Sequence, residues 1–312
     1  MLSTLLRSHL ALLAVNIIYG ANYIIAKGLM PHLIGPSGFI VLRVIGATLL
    51  FWLFRALTKH HPIAWVDFPR LVLCAVFGVA VNQLFFFNGL NLTSPINSAI
   101  IMTANPILVI VIASFLIGEK ITKIRVIGII AGATGAVMLI LSGADGLALS
   151  GNPTGDLMIL INALSYAIYL VIVKPLMQNY GPLTVISWVF LIGSFLVIPV
   201  GWNQFWEIDW GVFKPSDWFS LSFVIIGTTF LAYLLNVFAI KSLSPGTVSS
   251  YIYLQPITAS IFAVLFAWLG WASVNYSGGI TPVKVLSALL IFVGVYLVSK
   301  PGIDRARAKS HH

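Results

Sequence analysis

SPINSAIIMTANP, residues 94–106, recurs in frame as SPGTVSSYIYLQP, residues 244–256. Ser94 and Pro106 stand twelve residues apart, as do Ser244 and Pro256. In each copy a polar-Pro pair, Asn105-Pro106 or Gln255-Pro256, interrupts a long apolar run. A proline inside a helix removes an N–H and frees the carbonyl one turn back. A bilayer tolerates that only where neighbours or a wet cavity satisfy the carbonyl. Two such breaks at matching places in two halves point to a polar site at their interface, with Pro106 and Pro256 beside it. The plainer alternative is a pair of kinks that only help packing.

Composition sets the surroundings. Hydrophobic residues make up 59% of the chain and charged residues 8%, against about 25% charged in a soluble domain. Such a chain cannot cover itself with polar surface, so it is expected to be integral to a membrane. The net charge of +9 lies in loops and at the tail, where basic residues set topology, and does not indicate a nucleic-acid partner. Cys74, the only cysteine, excludes an internal disulfide and sits in an apolar run as a small packing residue. No cleavable signal peptide is expected, because the first apolar run is too long and lacks a small-residue end.

Spanning helices need about 20 mostly apolar residues, and ten runs meet that length. They are His9–Met30, Ser37–Leu57, Pro69–Leu90, Pro95–Gly118, Lys123–Ser142, Asp156–Met177, Pro182–Trp202, Ser216–Lys241, Thr247–Gly270 and Pro282–Ser299. The Gly/Asp/Pro-rich stretch 143–155 reads as a midpoint linker between a first unit, 1–142, and a second, 156–300, with a tail at 301–312. With the N-terminus inside, thirteen Lys and Arg residues fall on the inner side and only Lys27, Lys214 and Lys284 on the outer. Both termini are therefore expected to be cytoplasmic. The tryptophans at 202, 206, 210 and 218 suit an interfacial belt on the outer side.

The two units echo each other. Tyr19 and Lys27 are eight residues apart, as are Tyr166 and Lys174; Gly35-Pro36 follows the first pair and Gly181-Pro182 the second. Arg125 and Gly135 match Lys284 and Gly294 in the same way. Five spans per unit is an odd number, so the units are expected to lie upside down to each other. On Tyr19-Gly20-Ala21-Asn22 with Lys27, Arg43, Asn105-Pro106 through Gly118-Glu119-Lys120, and Gly128, Gly132 and Gly135, nearly the whole chain resembles the EamA-type members of the drug/metabolite transporter superfamily. The resemblance implies an all-α fold of ten transmembrane helices in two inverted five-helix repeats. Helices one to four and six to nine would surround a central cavity, with five and ten peripheral. It also implies a structural ion pair for Glu119 at the inner end of the fourth span, with Lys120, Lys123 or Arg125. The second unit departs from the pattern: Leu269 stands where the first has Glu119, Ser273–Gly279 is inserted, and Val189 sits near the position matching Arg43.

Polar residues within the spans should face inward. Asn16, Tyr19, Tyr23 and Lys27 fall three and four apart, on one helical face flanked by Asn22. Asn162, Tyr166 and Tyr169 form a similar face in the sixth span. With Asn82, Gln83, Asn105, Tyr233, Tyr253 and Gln255 they make the candidate substrate-binding set. Thr228, Thr229, Asn236 and Tyr251 are further polar groups in the eighth and ninth spans. The set reads as a pocket for an amphipathic organic substrate, and each member alone also reads as interhelical glue. Lys27 and Arg43 are candidate anion contacts; the preferred reading has both snorkelling outward, with Arg43 the deeper. The small residues Gly128, Gly132 and Ala136 suit close packing within the chain, or a weak homodimer.

No cluster of His, Asp, Glu or Cys suited to catalysis or metal binding, and no phosphate-binding Gly-Lys-Ser/Thr motif, occurs in the sequence. An enzyme, a cofactor and a metal are therefore not expected. The expected protein is a carrier in the bacterial inner membrane that moves amino acids or similar small metabolites. The resemblance alone implies export. The alternative is a proton-coupled exporter of lipophilic drugs.

Overall fold

The computed structural model describes residues 4–58, 62–118, 122–142, 152–270 and 282–299, and every regular element among them is helical. Eight helices are long and apolar enough to cross a membrane. We number them with two others in chain order: α1 Thr4–Leu29, α2 Pro36–Ala56, α3 Trp65–Leu92, α4 Pro95–Leu116, α5 Lys123–Ser142, α6 Pro153–Asn179, α7 Pro182–Trp206, α8 Pro215–Ser242, α9 Pro245–Trp268 and α10 Pro282–Ser299. α5 and α10 carry shorter apolar stretches, Val126–Gly135 and Val285–Gly294. α6 begins at Pro153 rather than after Gly155, because Asn152 caps it by accepting from the Thr154 and Gly155 N–H groups. Glu119, most of the expected linker, the 273–279 insertion and the tail lie outside the described residues.

The burial pattern is that of a protein solvated by lipid. Leu49, Phe195, Ile226 and Ile257 are exposed, while Asn16, Arg43, Gln83 and Asn162 are buried. The outer surface suits hydrocarbon, and the polar groups find one another inside.

Packing follows a regular plan. α2 lies along α7, α5 along α10, α3 and α4 against α6, and α8 and α9 against α1. The α2–α7 contact is tied at one end by Gln204, whose Oε1 accepts from the Ser37 N–H (2.8 Å) and the Gly38 N–H (3.2 Å). Those donors would otherwise be orphans, since the N-terminus of α2 has no side-chain cap of its own. α5 and α10 meet at glycines: a Cβ on Gly294 would come within 2.5 Å of the Gly128 carbonyl oxygen. The small-residue face of α5 is thus used within the chain.

The duplicated Ser-Pro frame has the same local chemistry in both places. Ser94 Oγ accepts from the Asn97 N–H and Ser244 Oγ from the Thr247 N–H, each at 3.1 Å. Both helices are interrupted just before the polar-Pro pair. α4 breaks at Thr103-Ala104, and α9 passes through a 3₁₀ turn at Tyr251–Tyr253. Pro106 and Pro256 cannot donate, so Met102 and Ile252 carbonyls are left without their helical partner. α3 and α8 share another irregularity, a π-helical stretch at Val76–Ala80 and at Phe223–Leu231. Side chains take up carbonyls around the first: Ser165 Oγ donates to Phe77 O (2.6 Å) and Tyr233 OH to Gly78 O (3.3 Å).

Candidate functional site

A cavity of about 70 Å³ lies at the centre of the bundle, bounded by side chains of α1, α2, α3, α4, α6, α8 and α9. Of the sequence-selected residues, it gathers Tyr19 and Tyr23 from α1, Arg43 from α2, Asn82 and Gln83 from α3, Asn162 and Tyr166 from α6, Tyr233 from α8 and Gln255 from α9. Asn22, Phe86, Phe87, Met102, Thr228 and Ile252 complete the wall. Met102 and Ile252 are the residues four before the two prolines, so both helix breaks open beside the cavity.

Arg43 does not snorkel. It is 2% exposed, and its Nε donates to Thr229 Oγ1 at 2.8 Å. Its guanidinium lies 4.0 Å from the centroid of the Phe87 ring, a cation–π contact that compensates part of its desolvation. Its Nη1 has no acceptor among the described residues. Nor do Thr228 Oγ1 and the Oδ1 atoms of Asn22 and Asn162 have partners there. The wall therefore offers unspent donors around one cation, together with unspent amide oxygens.

Other wall groups are fixed by their neighbours. Tyr23 OH donates to Gln255 Oε1 (2.8 Å), and Gln255 Nε2 donates to Asn16 Oδ1 (2.9 Å). Tyr233 OH donates to Asn82 Oδ1 (3.2 Å), and Asn236 Nδ2 donates to Tyr166 OH. Asn162 Nδ2 donates to the Asn82 carbonyl (2.7 Å), which leaves its Oδ1 unused.

Five selected residues lie behind the wall. Asn16 holds Gln255 from the rear. Asn105 Nδ2 donates to the Ala163 carbonyl (2.7 Å), joining α4 to α6. Tyr169 packs where a Cβ on Gly78 would touch its ring at 2.4 Å. Tyr253 turns towards α10, its ring 5.9 Å from that of Phe292. Lys27 is half-buried and does not line the cavity. Its Nζ donates to the carbonyls of Leu90 (2.7 Å), Asn91 (2.6 Å) and Thr93 (3.1 Å) at the C-terminus of α3. A cation there satisfies orphan carbonyls and meets the negative end of the helix dipole. Lys174 in α6 does the same at the end of α8, donating to Ile240 O (2.5 Å) and Leu243 O (2.5 Å).

The family model for EamA-like transporters matches residues 6–141 and 153–300. The chain belongs to that family. This EamA-like protein is a membrane transporter rather than an enzyme, integral to a lipid bilayer. A Bacillus subtilis protein named uncharacterized transporter YyaM is 26% identical to it over 304 residues, covering 94% of each chain. A WAT1-related chloroplastic protein of Arabidopsis thaliana is 26% identical over 295 residues, covering 91% of this chain and 67% of its own. A solved crystal structure matches with a TM-score of 0.60 at 17% identity, covering 94% of this chain and 96% of that one, which is a likeness of fold.

Proposed function

We propose that this EamA-like transporter carries small metabolites bearing a carboxylate, amino acids foremost, out of the cell by alternating access around the central cavity. The observation that carries the reading is Arg43: one buried cation in the wall with an unused N–H, facing unspent amide oxygens. A carboxylate matches the guanidinium, and an ammonium group matches the Oδ1 atoms of Asn22 and Asn162. Tyr19, Tyr166 and Phe86 supply apolar faces for the rest of the molecule.

The reading takes the chain as ten spans in two inverted repeats, 1–142 and 156–300, joined by the 143–155 linker. Three observations support it. The family model matches in two stretches, 6–141 and 153–300. The largest inter-half packing pairs either map onto themselves, as α2–α7 and α5–α10 do, or have a counterpart, as α3–α6 has α8–α1 and α4–α6 has α9–α1. The lysine caps, Ser-Pro caps and π-helical stretches also recur at matching places. Lys27 ties α1 to the end of α3, and Lys174 ties α6 to the end of α8, at opposite ends of the bundle. In the proposed cycle each is a latch, and releasing one opens one side while the other stays made. The cavity is smaller than the roughly 300 Å³ of an ordinary small-molecule site, so this arrangement is contracted at the centre with both latches made. The lysine and arginine distribution supports cytoplasmic termini; the proposed setting is a bacterial inner membrane, with the chain a monomer or weak homodimer.

The test is counterflow in proteoliposomes preloaded with single unlabelled amino acids, with labelled amino acid outside and no ion gradient. Trans-acceleration is expected, and Gln83→Ala and Tyr166→Ala should reduce it while the protein stays folded. A second reading, export of lipophilic drugs, draws on the aromatic wall. It predicts no amino-acid counterflow and substrate-dependent fluorescence change with lipophilic cations instead. Among the described residues no carboxylate lines the cavity to hold such a cation, and this favours the first reading.

A further inference from the structure

A second built site lies away from the central cavity. Arg55, in the last turn of α2, is only 6% exposed. Its guanidinium carbon lies 4.8 Å from the Trp52 ring centroid and 5.5 Å from that of Trp188. The two indoles meet edge to face at 5.4 Å. Arg55 and Trp188 border an open cleft of about 330 Å³ between α2, α7 and the start of α3, floored by Ile63 and Phe68 and rimmed by Trp65. Trp65 is 86% exposed, on the outer surface of the bundle.

Two residues that border the cleft carry donors with nothing to receive them. Arg55 Nε and Nη1 and Trp188 Nε1 are buried and have no acceptor among the described residues. Trp52, by contrast, spends its N–H on the Ser187 carbonyl (3.2 Å). The acid at the start of α3, Asp67, accepts from Tyr180 OH (2.8 Å) and does not line the cleft. Leaving a buried charged donor unmatched is costly, and an arginine fork with an adjacent N–H suits a tetrahedral oxyanion. The remaining walls are aromatic and aliphatic, and they continue onto a surface that faces lipid.

We propose that the Arg55–Trp188 cleft binds a phosphate group, the guanidinium and the indole N–H holding its oxygens while the apolar walls take what is attached to it. Two sources share that chemistry, the headgroup of a bilayer phospholipid and free phosphate. The apolar walls suit the first. Basic pockets between helices at the membrane–water boundary recognise anionic headgroups in this way. The assignment is independent of what the central cavity carries, because no residue is shared between the two linings.

Native mass spectrometry of the full-length, detergent-purified protein tests it with three probes: phosphatidylglycerol, phosphatidylcholine and inorganic phosphate. Phosphatidylglycerol is expected to be retained at least tenfold more strongly by the unaltered protein than by Arg55→Gln. Trp188→Phe keeps an aromatic face, smaller than the indole, and loses the N–H, and should weaken retention about threefold. Competition by millimolar inorganic phosphate, lost in Arg55→Gln, would assign the cleft to the free ion; its absence, with phosphatidylglycerol preferred over phosphatidylcholine, would assign it to lipid. Equal retention of every probe by the unaltered protein and both variants overturns the proposal. Thermal unfolding of each variant checks that it is folded. Trp188→Phe, the milder change, decides the matter if Arg55→Gln does not fold.

Discussion

Lys27 and Lys174 perform one task at opposite ends of the bundle, whereas Arg43 in α2 has Val189 near the matching position of α7. The contrast separates two kinds of part. Pieces that shape the helices or fasten them to each other are doubled: the lysine caps, the Ser-Pro caps, the breaks before Pro106 and Pro256, and the π-helical stretches of α3 and α8. The charged piece that faces the cavity is single. A mechanism that opens alternately to two sides needs matched fastenings. Recognition of a molecule with distinct ends needs an asymmetric wall. The proposed repeat supplies the first, and departures from it supply the second.

The comparison is broken most visibly at Arg43. Arg43→Gln should lower amino-acid counterflow tenfold to a hundredfold, since a hydrogen bond to a charged group contributes about 1.5–3 kcal/mol. Adding Val189→Arg should not restore it, because the second-half position is filled by a fully buried side chain. Undiminished flux in Arg43→Gln would remove the arginine from recognition. Next come the latches. With a reporter cysteine at Thr228 in a Cys74→Ala background, Lys27→Ala and Lys174→Ala should raise labelling several-fold from opposite faces of sealed vesicles. Each variant strips a cation from carbonyls worth about 1–3 kcal/mol when left buried and unmet. If both variants open the same face, the lysines are not paired latches.

A smaller effect sharpens the frame. Gln255→Leu should destabilise more than Asn105→Leu, because Gln255 bonds to both Tyr23 and Asn16 while Asn105 bonds to Ala163. The expected losses are about 2 and about 1 kcal/mol, one net hydrogen bond apart, read as thermal unfolding in detergent. Smallest of all is the contrast between Tyr166 and Tyr19. Tyr166→Phe loses the bond from Asn236 and about 1 kcal/mol. Tyr19→Phe, whose hydroxyl has no partner among the described residues, should leave stability within about 0.5 kcal/mol.

How much of this was legible in the sequence follows from what each residue type can betray. The Ser-Pro and polar-Pro pairs announced the helix breaks, because proline's missing donor acts wherever it stands. Asn82, Gln83, Asn162 and Tyr233 were legible because polar groups in an apolar helix stand out. Phe86, Phe87, Met102 and Ile252 were not: an apolar side chain facing a cavity and one facing lipid have the same hydropathy. Phe86 and Phe87, three and four residues beyond Gln83, were the available signal, since that spacing puts them on its helical face. Tyr253 was misplaced because it was chosen as a polar residue of its span and not by helical face. Two residues from Gln255, it lies about 200° away around a helix, and its ring turns towards Phe292 of α10. Lys27 was read against the membrane surface, while its partners are backbone carbonyls of α3 that no side-chain pattern reveals.

The contracted cavity bears on the economy of the cell as well as on the cycle. At about 70 Å³ it has room for a small cluster of water molecules, on the order of five at about 10–15 Å³ each. A file of water able to pass protons across about 30 Å of hydrocarbon has to be longer than such a cluster. Vesicles loaded with the idle protein in this arrangement are therefore expected to hold an imposed pH gradient.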